Sequence, residues 1–341
     1  MEIPSESIFV SAIRSFCRVF FGIIALALAV LVLAIAYSCF YSPYTPEVNT
    51  TVKLLPDLNQ EVVLRSLSSP VVLQINFDSI IGEPKLLDSQ SIENILIDSR
   101  QDFLAKDRVK AILLRMNTPG GTVTDADNVY RMLKRYKEKH HVPVFAYVDG
   151  LCASGGMYIT AAADKIYASP PSLVGSVGVI IGPFFNVIDG LNRIGIQAKT
   201  LTEGLDKDAM NPFRTWKPNE DANYQAMTAY FYQRFVDIVT SARPGLDRDK
   251  LVKEYGANVF VGPEALARGY IDVANAEYEQ ALFDLMSAAG IDPTKEYQVV
   301  ALKPTLNFLG LPVSTKLGNI EHSVKLDDKQ WLRDKCSYLY E

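Results

Sequence analysis

One serine in the sequence stands where a catalytic nucleophile could stand. Ser154 follows the apolar run 143–148, which is typical of a buried strand, and Gly155 and Gly156 come directly after it. Glycines allow a sharp turn and a close approach of the backbone to a ligand. A small hydroxyl residue at a strand end, beside free backbone N–H groups, is the arrangement that nucleophilic catalysis requires.

A second glycine pair follows another strand-like run. Gly120 and Gly121 close the stretch that begins with the apolar run 109–114. Two strand-to-glycine turns, one of which carries a serine, favour a serine hydrolase over other classes of protein.

The scarcity of histidine makes a lysine the better candidate for the general base. The chain has three histidines, His140, His141 and His322. The first two precede the strand that leads to the serine and are expected at its far end. A Ser-His-Asp triad is therefore awkward to build, although chain order alone does not exclude one. Lys207 is the alternative, but a lysine accepts a proton only as the neutral amine, which requires shielding from water.

Six short motifs lie in order between residues 70 and 303. They are 117–121 (Asn-Thr-Pro-Gly-Gly), 153–159 (Ala-Ser-Gly-Gly-Met-Tyr-Ile), 162–166 (Ala-Ala-Asp-Lys-Ile), 175–180 (Gly-Ser-Val-Gly-Val-Ile), 207–214 (Lys-Asp-Ala-Met-Asn-Pro-Phe-Arg) and 261–267 (Val-Gly-Pro-Glu-Ala-Leu-Ala). In this order and spacing they resemble the signal peptide peptidase A (protease IV) family of serine–lysine endopeptidases. One glycine pair alone is a weak signal, whereas six motifs in order are a specific one.

The resemblance implies a role for five residues of this chain. Ser154 corresponds to the nucleophile and Lys207 to its general base. Ser176 matches a second serine, whose hydroxyl orients the lysine. The backbone N–H groups of Gly121 and Gly155 correspond to the oxyanion hole. The resemblance implies neither a metal nor a cofactor, and no metal-ligand or nucleotide-binding spacing occurs in the sequence.

The sequence departs from the family pattern at two places. Thr118 stands where the family usually has serine, which we expect to matter little because that side chain is not expected to take part in the chemistry. Glu203 replaces a serine upstream of the lysine, and Asp206 is adjacent to it. Carboxylates near a lysine favour its charged form, so we expect both to face solvent.

Simpler interpretations exist for the same residues. Ser154 could be the N-cap of the helix that follows it. Lys207 could be an ordinary solvated lysine, and Ser176 an ordinary turn residue. Cys152 is expected to be a small buried side chain.

The N-terminal segment predicts a membrane anchor. Residues 19–37 carry no charge, and with residues 38–40 they are long enough to span a bilayer. Arg14 and Arg18 precede this run, so the positive-inside rule places the N-terminus in the cytoplasm and the rest of the chain outside it. A cleaved signal peptide or a lipoprotein-like site at Cys39 is the alternative, but an uncleaved anchor fits the long run better.

Composition bounds the remaining possibilities. The 341-residue chain is 48% hydrophobic, with a net charge of −5 and no basic cluster, which argues against nucleic acid as a partner. Its four cysteines show no disulfide spacing. The predicted organisation is a cytoplasmic N-terminus (1–18), an anchor (19–40), a linker (41–65), a peptidase domain (66–303) and a polar tail (304–341).

Within the peptidase domain, strand and helix patterns alternate, which indicates an α/β fold. Strands are predicted at 71–77, 109–114, 144–148, 166–168, 177–181 and 197–201, and helices at 92–104, 126–136, 155–163 and 222–243. The resemblance implies the crotonase/Clp-protease spiral of repeated strand-strand-helix units, whose members assemble into rings.

The expected function is that of a single-pass serine endopeptidase of the bacterial inner membrane. Its catalytic domain is expected on the extracytoplasmic side, in a homo-oligomeric ring. By resemblance, its substrates are peptides such as residual signal peptides. Two other functions remain open: a crotonase-type acyl-CoA enzyme, which would share the fold and the oxyanion glycines, and a catalytically silent membrane scaffold.

Overall fold

The computed structural model describes residues 8–40, 50–84, 86–304, 307–308 and 311–312. The chain divides into two compact units, a first that contains the N-terminal helix and a second that contains the main sheet. Residues 41–49 of the predicted linker and most of the predicted tail lie outside the described residues.

The first unit is built on one long apolar helix, α1 (Ile8–Phe40). Its segment Ile13–Leu33 has a mean hydropathy of 2.7, and nearly all of its side chains are exposed. A helix that is apolar on every face suits a lipid environment. By length and composition α1 is able to cross a bilayer, and it contains the predicted anchor.

The second unit is organised around an eight-stranded sheet with the strand order β1-β8-β2-β3-β4-β6-β7, in which β5 also pairs with β4. The core strands run parallel, and the edge strands β1 and β7 are antiparallel to their neighbours. The strands are β1 (Thr50–Leu55), β2 (Val71–Phe77), β3 (Val109–Thr118), β4 (Val144–Ala153), β5 (Lys165–Ala168), β6 (Leu173–Gly175), β7 (Val259–Val261) and β8 (Gln298–Pro304).

Helices cover both faces of this sheet. They are α2 (Ser89–Asp98), α3 (Val123–His140), α4 (Gly155–Thr160), α5 (Ile188–Arg193), α6 (Ala222–Ala242), α7 (Arg248–Lys250), α8 (Gly262–Ala267) and α9 (Tyr278–Ala288). Short 3-10 and π segments occupy Asp102–Leu104 and Leu251–Tyr255, and a two-stranded sheet joins β9 (Asn307–Phe308) and β10 (Leu311–Pro312).

The alternation of side chains along β3 shows how the core is divided. Ile112 and Leu114 belong to the cluster that includes side chains of α2, α3, α4 and α6. Leu113 points to the other face and belongs to the cluster formed with α9. All three are fully buried, as expected for a parallel strand that is covered on both sides.

Strand β4 changes its partner along its length. Residues Phe145 to Val148 pair with β5, whereas Leu151 to Ala153 pair with β6. The change falls around Gly150, which has a φ of 125°. Strand β4 is therefore shared between two neighbouring strands on the same side, and the alternation of strands and helices confirms the predicted α/β class.

Three details differ from the sequence prediction. Residues 50–55, assigned to the linker, form strand β1 against β8. Residues 177–181 and 197–201 form no strand, and side chains such as Ile180 and Leu201 are each 83% exposed. Apolar runs become strands only where a neighbour takes up their backbone hydrogen bonds. The predicted helix 92–104 is α2 followed by the 3-10 turn.

Candidate active site

The two glycine turns meet at one edge of the sheet. Strands β3 and β4 are parallel neighbours, and Thr118 at the end of β3 pairs with Cys152 near the end of β4. The chain leaves β3 through Gly120 and Gly121 and leaves β4 through Ser154. The carboxyl edge of a parallel sheet is where α/β proteins commonly bind their ligands.

Ser154 has an unusual backbone conformation. Its φ of 51° and ψ of −117° lie where residues with a side chain rarely occur. The conformation is held from both sides: the Ser154 N–H donates to Gly175 O at 3.1 Å, and the Ser154 carbonyl accepts from the Tyr158 N–H at 3.1 Å. A strained strand-to-helix turn of this kind lifts a nucleophilic side chain out of the fold.

The N-cap interpretation of Ser154 is wrong. The residue precedes α4, but its side chain makes no capping hydrogen bond. It is also only partly buried, so the hydroxyl remains accessible to a ligand. Its strained conformation is therefore not explained by helix capping.

The N–H groups of Gly121 and Gly155 are available to a ligand. Neither donates a hydrogen bond to any residue that the structure describes. The two lie close together, since a Cβ placed on Gly155 would be 3.4 Å from the Gly121 nitrogen. Two adjacent free N–H groups beside a serine are the components of an oxyanion hole.

Packing requires glycine in the first of these turns. A Cβ on Gly121 would lie 1.9 Å from Ile81 O, and one on Gly120 would lie 2.7 Å from Ser154 Cβ. Ile81 also fixes the turn through hydrogen bonds, donating to Gly120 O at 2.9 Å and accepting from the Thr122 N–H at 3.0 Å. The turn formed by Gly120 and Gly121 thus packs closely against Ser154 on one side and is hydrogen-bonded to Ile81 on the other.

Thr118 contributes more to the site than the sequence suggested. Its buried hydroxyl donates to Ser79 O at 2.6 Å and accepts from the Gly120 N–H at 3.1 Å. Its methyl group lies against Gly156, where an added Cβ would be 2.9 Å away. The side chain therefore ties the oxyanion turn to the segment before it and to the nucleophile turn.

Ser176 lies beside the nucleophile. It follows Gly175, which pairs with Ala153 and accepts the hydrogen bond from Ser154. Ser176 has a φ of 56°, and its N–H donates to Asn258 O at 2.7 Å. The fold thus brings together Ser154, Ser176 and the two glycines, Gly121 and Gly155, that the sequence predicts for the oxyanion hole.

Lys207 is placed differently. Its side chain is exposed and makes no hydrogen bond or ion pair with a residue in the described part of the chain. Glu203 and Asp206 are exposed as well, in agreement with the expectation that they face solvent. The described contacts do not join Lys207 to Ser154.

The backbone that follows Lys207 is nevertheless well fixed. The Arg214 guanidinium donates to Asp208 Oδ2 at 2.8 Å and to Glu220 Oε2 at 3.0 Å. Glu220, with 2% of its side chain exposed, also accepts from the N–H groups of Met210 and Lys217. The hydrogen bond from Arg214 is the main cause that lowers the pKa of Glu220 to about 2.

The other nucleophile and base candidates lie elsewhere. His140 ends α3 and packs on Tyr136, with ring centroids 4.6 Å apart, and His141 follows it. Both precede β4, a strand that spans roughly 33 Å, whereas Ser154 follows it. His322 lies outside the described residues. Cys152 is fully buried, and burial raises the pKa of its thiol to about 12.

An open, mostly apolar depression adjoins the oxyanion turn. Its volume is about 580 Å³, and it is lined by Ile80, Ile81, Gly82, Glu83, Gly121 and Thr122. Among the described residues, no group of three or more His, Cys, Asp or Glu side chains could hold a metal ion. The site offers a strained serine, two free N–H groups and an apolar surface.

Comparison with known proteins shows similarity to a family of peptidases. Residues 136–292, which include Ser154, Ser176 and Lys207, match the model of peptidase family S49. A Synechocystis sp. protein described as a candidate protease is 34% identical over 185 residues, covering 54% of this chain and 65% of that protein. These findings support the signal peptide peptidase A family, with the match to peptidase family S49 confined to residues 136–292.

Other relatives carry more specific names. A candidate signal peptide peptidase of Enterococcus faecium is 27% identical over 222 residues, covering 63% of each chain. Protease 4 of Salmonella typhi is 33% identical over 165 residues, covering 48% of this chain and 26% of that protein. The chain thus spans less than two thirds of the length of these relatives. A solved membrane-bound stomatin-specific protease matches with a TM-score of 0.44 and 18% identity, over 70% of this chain and 94% of that chain.

The hydroxyl of Thr118 is expected to matter for peptide hydrolysis. Thr118→Val removes both of its hydrogen bonds and leaves the buried Gly120 N–H without a partner. We expect kcat to fall roughly 10- to 100-fold, because the oxyanion turn shifts relative to Ser154. Thr118→Ser, which keeps the hydroxyl, is the matched control and should stay close to wild type. Equal kcat values for the valine variant and wild type would show that the turn is held by other contacts.

The Arg214–Glu220 contact predicts a pH-dependent stability. The pKa of Glu220 is about 2 in the folded chain, below the value of about 4.3 for a free glutamate. Its contribution is therefore complete above about pH 4.3 and is lost as the pH falls toward 2. Glu220→Gln should flatten the rise of Tm with pH in this window. Glu203→Gln, an exposed change on the same segment, should leave that slope unaltered; a similar flattening in both variants would contradict the assignment.

Proposed function

We propose that this chain is a membrane-anchored serine endopeptidase in which Ser154 attacks the carbonyl carbon of a peptide bond. The observation that carries the proposal is the strained conformation of Ser154 beside the two free N–H groups of Gly121 and Gly155. A fold keeps a strained serine and two unused donors together where a reaction needs them. The match of residues 136–292 to peptidase family S49 supports the same chemistry.

The proposed reaction proceeds through an acyl-enzyme. The neutral amine of Lys207 takes the proton from the Ser154 hydroxyl, and the oxygen attacks the peptide carbonyl. The N–H groups of Gly121 and Gly155 stabilise the negative charge that develops on the carbonyl oxygen. The protonated lysine then gives its proton to the leaving amine, and water hydrolyses the acyl-enzyme with the lysine again as base. Ser176 orients the lysine by accepting a hydrogen bond from it.

Lys207 must become buried for this mechanism to operate. In the single chain it is exposed, whereas a lysine acts as a base only as the neutral amine, which requires shielding from water. The segment around it carries exposed apolar side chains: Ile180 (83%), Phe185 (70%), Leu201 (83%) and Leu205 (95%). Large apolar side chains that are exposed in such numbers on one segment favour association with another protein surface. We therefore propose that association of subunits in a homo-oligomeric ring shields Lys207 and brings it to a Ser154 hydroxyl.

The proposed substrates are apolar peptides released at a membrane, such as residual signal peptides. The apolar depression beside Gly121 suits such peptides, and α1 would keep the site near the bilayer. The relatives' names, signal peptide peptidase and protease 4, point in the same direction. With Arg14 and Arg18 on its cytoplasmic side, the anchor would place the catalytic unit on the extracytoplasmic face of the bacterial inner membrane.

The Ser–Lys pair is tested by substitution. Ser154→Ala and Lys207→Ala should each abolish peptide hydrolysis. The double variant should be no less active than either single variant, because the losses caused by substituting residues that act as one unit are not additive. Lys207→Arg should be nearly as inactive, since a guanidinium does not release its proton. Hydrolysis of an apolar peptide and fluorophosphonate labelling of Ser154 measure these effects.

The matched control replaces the three histidines. A His140, His141 and His322 triple variant should keep most of the activity, because none of them is assigned to the reaction. If the triple variant were inactive while Lys207→Ala hydrolysed the peptide, a histidine would be the base. Labelling of a serine other than Ser154 would overturn the nucleophile assignment, and a crotonase-type or silent protein would not be labelled at all.

The orientation of the anchor gives a separate prediction. Protease added to spheroplasts should digest the catalytic unit, whereas sealed inverted vesicles should protect it, because the arginines before α1 favour a cytoplasmic N-terminus. Immunoblotting of the C-terminal part of the chain measures the digestion. The reverse protection pattern would place the catalytic unit in the cytoplasm.

A further inference from the structure

We propose that Asp127 is a positioning residue that holds the segments carrying the oxyanion turn, the nucleophile and the lysine in register. It lies on α3, and its carboxylate joins that helix to α4 and α6. This inference rests on the proposed function, since it assigns a role in the same site. It concerns a residue that lies outside the site itself and acts through its neighbours.

The two oxygens of Asp127 have different partners. Oδ1 accepts hydrogen bonds from the Tyr158 hydroxyl at 2.7 Å and from Arg234 Nε and Nη2 at 3.1 and 2.6 Å. Oδ2 accepts from Arg131 Nε at 2.7 Å, one turn along the same helix. One oxygen thus links three helices, and the other makes only a local contact.

Each of the three helices continues from a part of the proposed site. Helix α3 begins two residues after Gly121, and α4 begins at Gly155, directly after the nucleophile. Helix α6 begins at Ala222 and follows the segment that carries Lys207. Because a helix moves as a stiff body, a tie between the helices limits the relative movement of the residues that lead into them.

The surroundings of Asp127 make this tie strong. Its side chain is 19% exposed, and that of Tyr158 is almost completely buried. Burial alone would raise the pKa of Asp127, but hydrogen bonds from Tyr158, Arg234 and Arg131 bring it below its usual value. The carboxylate is therefore charged at neutral pH, and hydrogen bonds to a charged acceptor are roughly twice as strong as neutral ones.

Aromatic packing makes it possible to remove the tie without unfolding the site. The Tyr158 ring packs on Tyr130 of α3, with ring centroids 5.7 Å apart, and on Phe235 of α6 at 5.1 Å. Tyr158→Phe keeps both ring contacts and deletes only the hydroxyl that donates to Asp127. The packing holds the helices together, whereas the hydrogen bond sets the orientation of α4.

The test compares Tyr158→Phe with Arg131→Gln in the full-length chain. Both variants are designed to remove one hydrogen bond to the same carboxylate. Tyr158→Phe removes a hydrogen bond between α4 and α3, whereas Arg131→Gln removes one within α3. We expect Tyr158→Phe to lower kcat for peptide hydrolysis by roughly 10-fold with little change in KM, and to slow fluorophosphonate labelling of Ser154 to a similar degree. Arg131→Gln should leave both rates close to wild type. Asp127→Asn should behave like Tyr158→Phe or worse, and Asp127→Glu should recover part of the rate.

Amide hydrogen exchange in α4 provides a readout that does not depend on activity. Tyr158→Phe should speed exchange in α4, and Arg131→Gln should not. Unchanged exchange and unchanged kcat in Tyr158→Phe, or an equal loss in Arg131→Gln, would overturn the role of Asp127. If wild-type Ser154 were not labelled, the proposed function would fail. The exchange data would then decide alone: faster exchange in Tyr158→Phe supports the tie, and unchanged exchange overturns it.

Discussion

The change of partner along β4 is the constraint on which the site depends. The first half of the strand pairs with β5 and the second half with β6, so the end of β4 has a different neighbour from its beginning. This pairing brings Gly175 opposite Ala153, where its carbonyl accepts the hydrogen bond that holds Ser154 at a positive φ. The parallel neighbour β3 then delivers its own glycine turn to the same edge. Without the pairing to β6, the Gly175 carbonyl and the adjacent Ser176 would not lie beside the serine.

The site is energetically unfavourable taken by itself, and the surrounding fold compensates for it. A residue with a side chain at such a φ costs about 1–3 kcal/mol. The compensation comes from contacts that tolerate little change: Ile81 against Gly121, the Thr118 hydroxyl on Gly120, and Gly120 against the Ser154 Cβ. The strands β3 and β4 beneath these turns are mostly buried and closely packed, so they can carry this strain without rearranging.

The parts of this structure that the sequence predicted well are those with local causes. The strand at 71–77 follows from its apolar run, and the two glycine turns follow from the glycine pairs that come after two other apolar runs. The structure has all three at the predicted positions. Strand β1 and the missing strands at 177–181 and 197–201 depend on distant partners, which an apolar run does not specify. The Asp127 contacts join residues separated by 31 and 107 positions, so no spacing in the sequence indicates them. The hydrogen bond of the Thr118 hydroxyl could not be predicted for a similar reason, because its partner Ser79 is 39 residues away.

A single chain holds some of the proposed catalytic groups in position but leaves the proposed base exposed to solvent. Ser154 and the two oxyanion glycines are ordered by the buried sheet, whereas Lys207 lies on a segment whose apolar side chains face water. A lysine accepts a proton only as the neutral amine, and contact with water favours its charged form. The proposed role of Lys207 therefore requires another surface that excludes the solvent. The Arg214 contacts already fix the backbone after Lys207 in the single chain. They therefore reduce the conformational entropy that this segment would lose when subunits associate. A peptidase arranged in this way would hold its nucleophile ready but gain its base on assembly, so that dispersed single chains would leave other proteins of the membrane uncut.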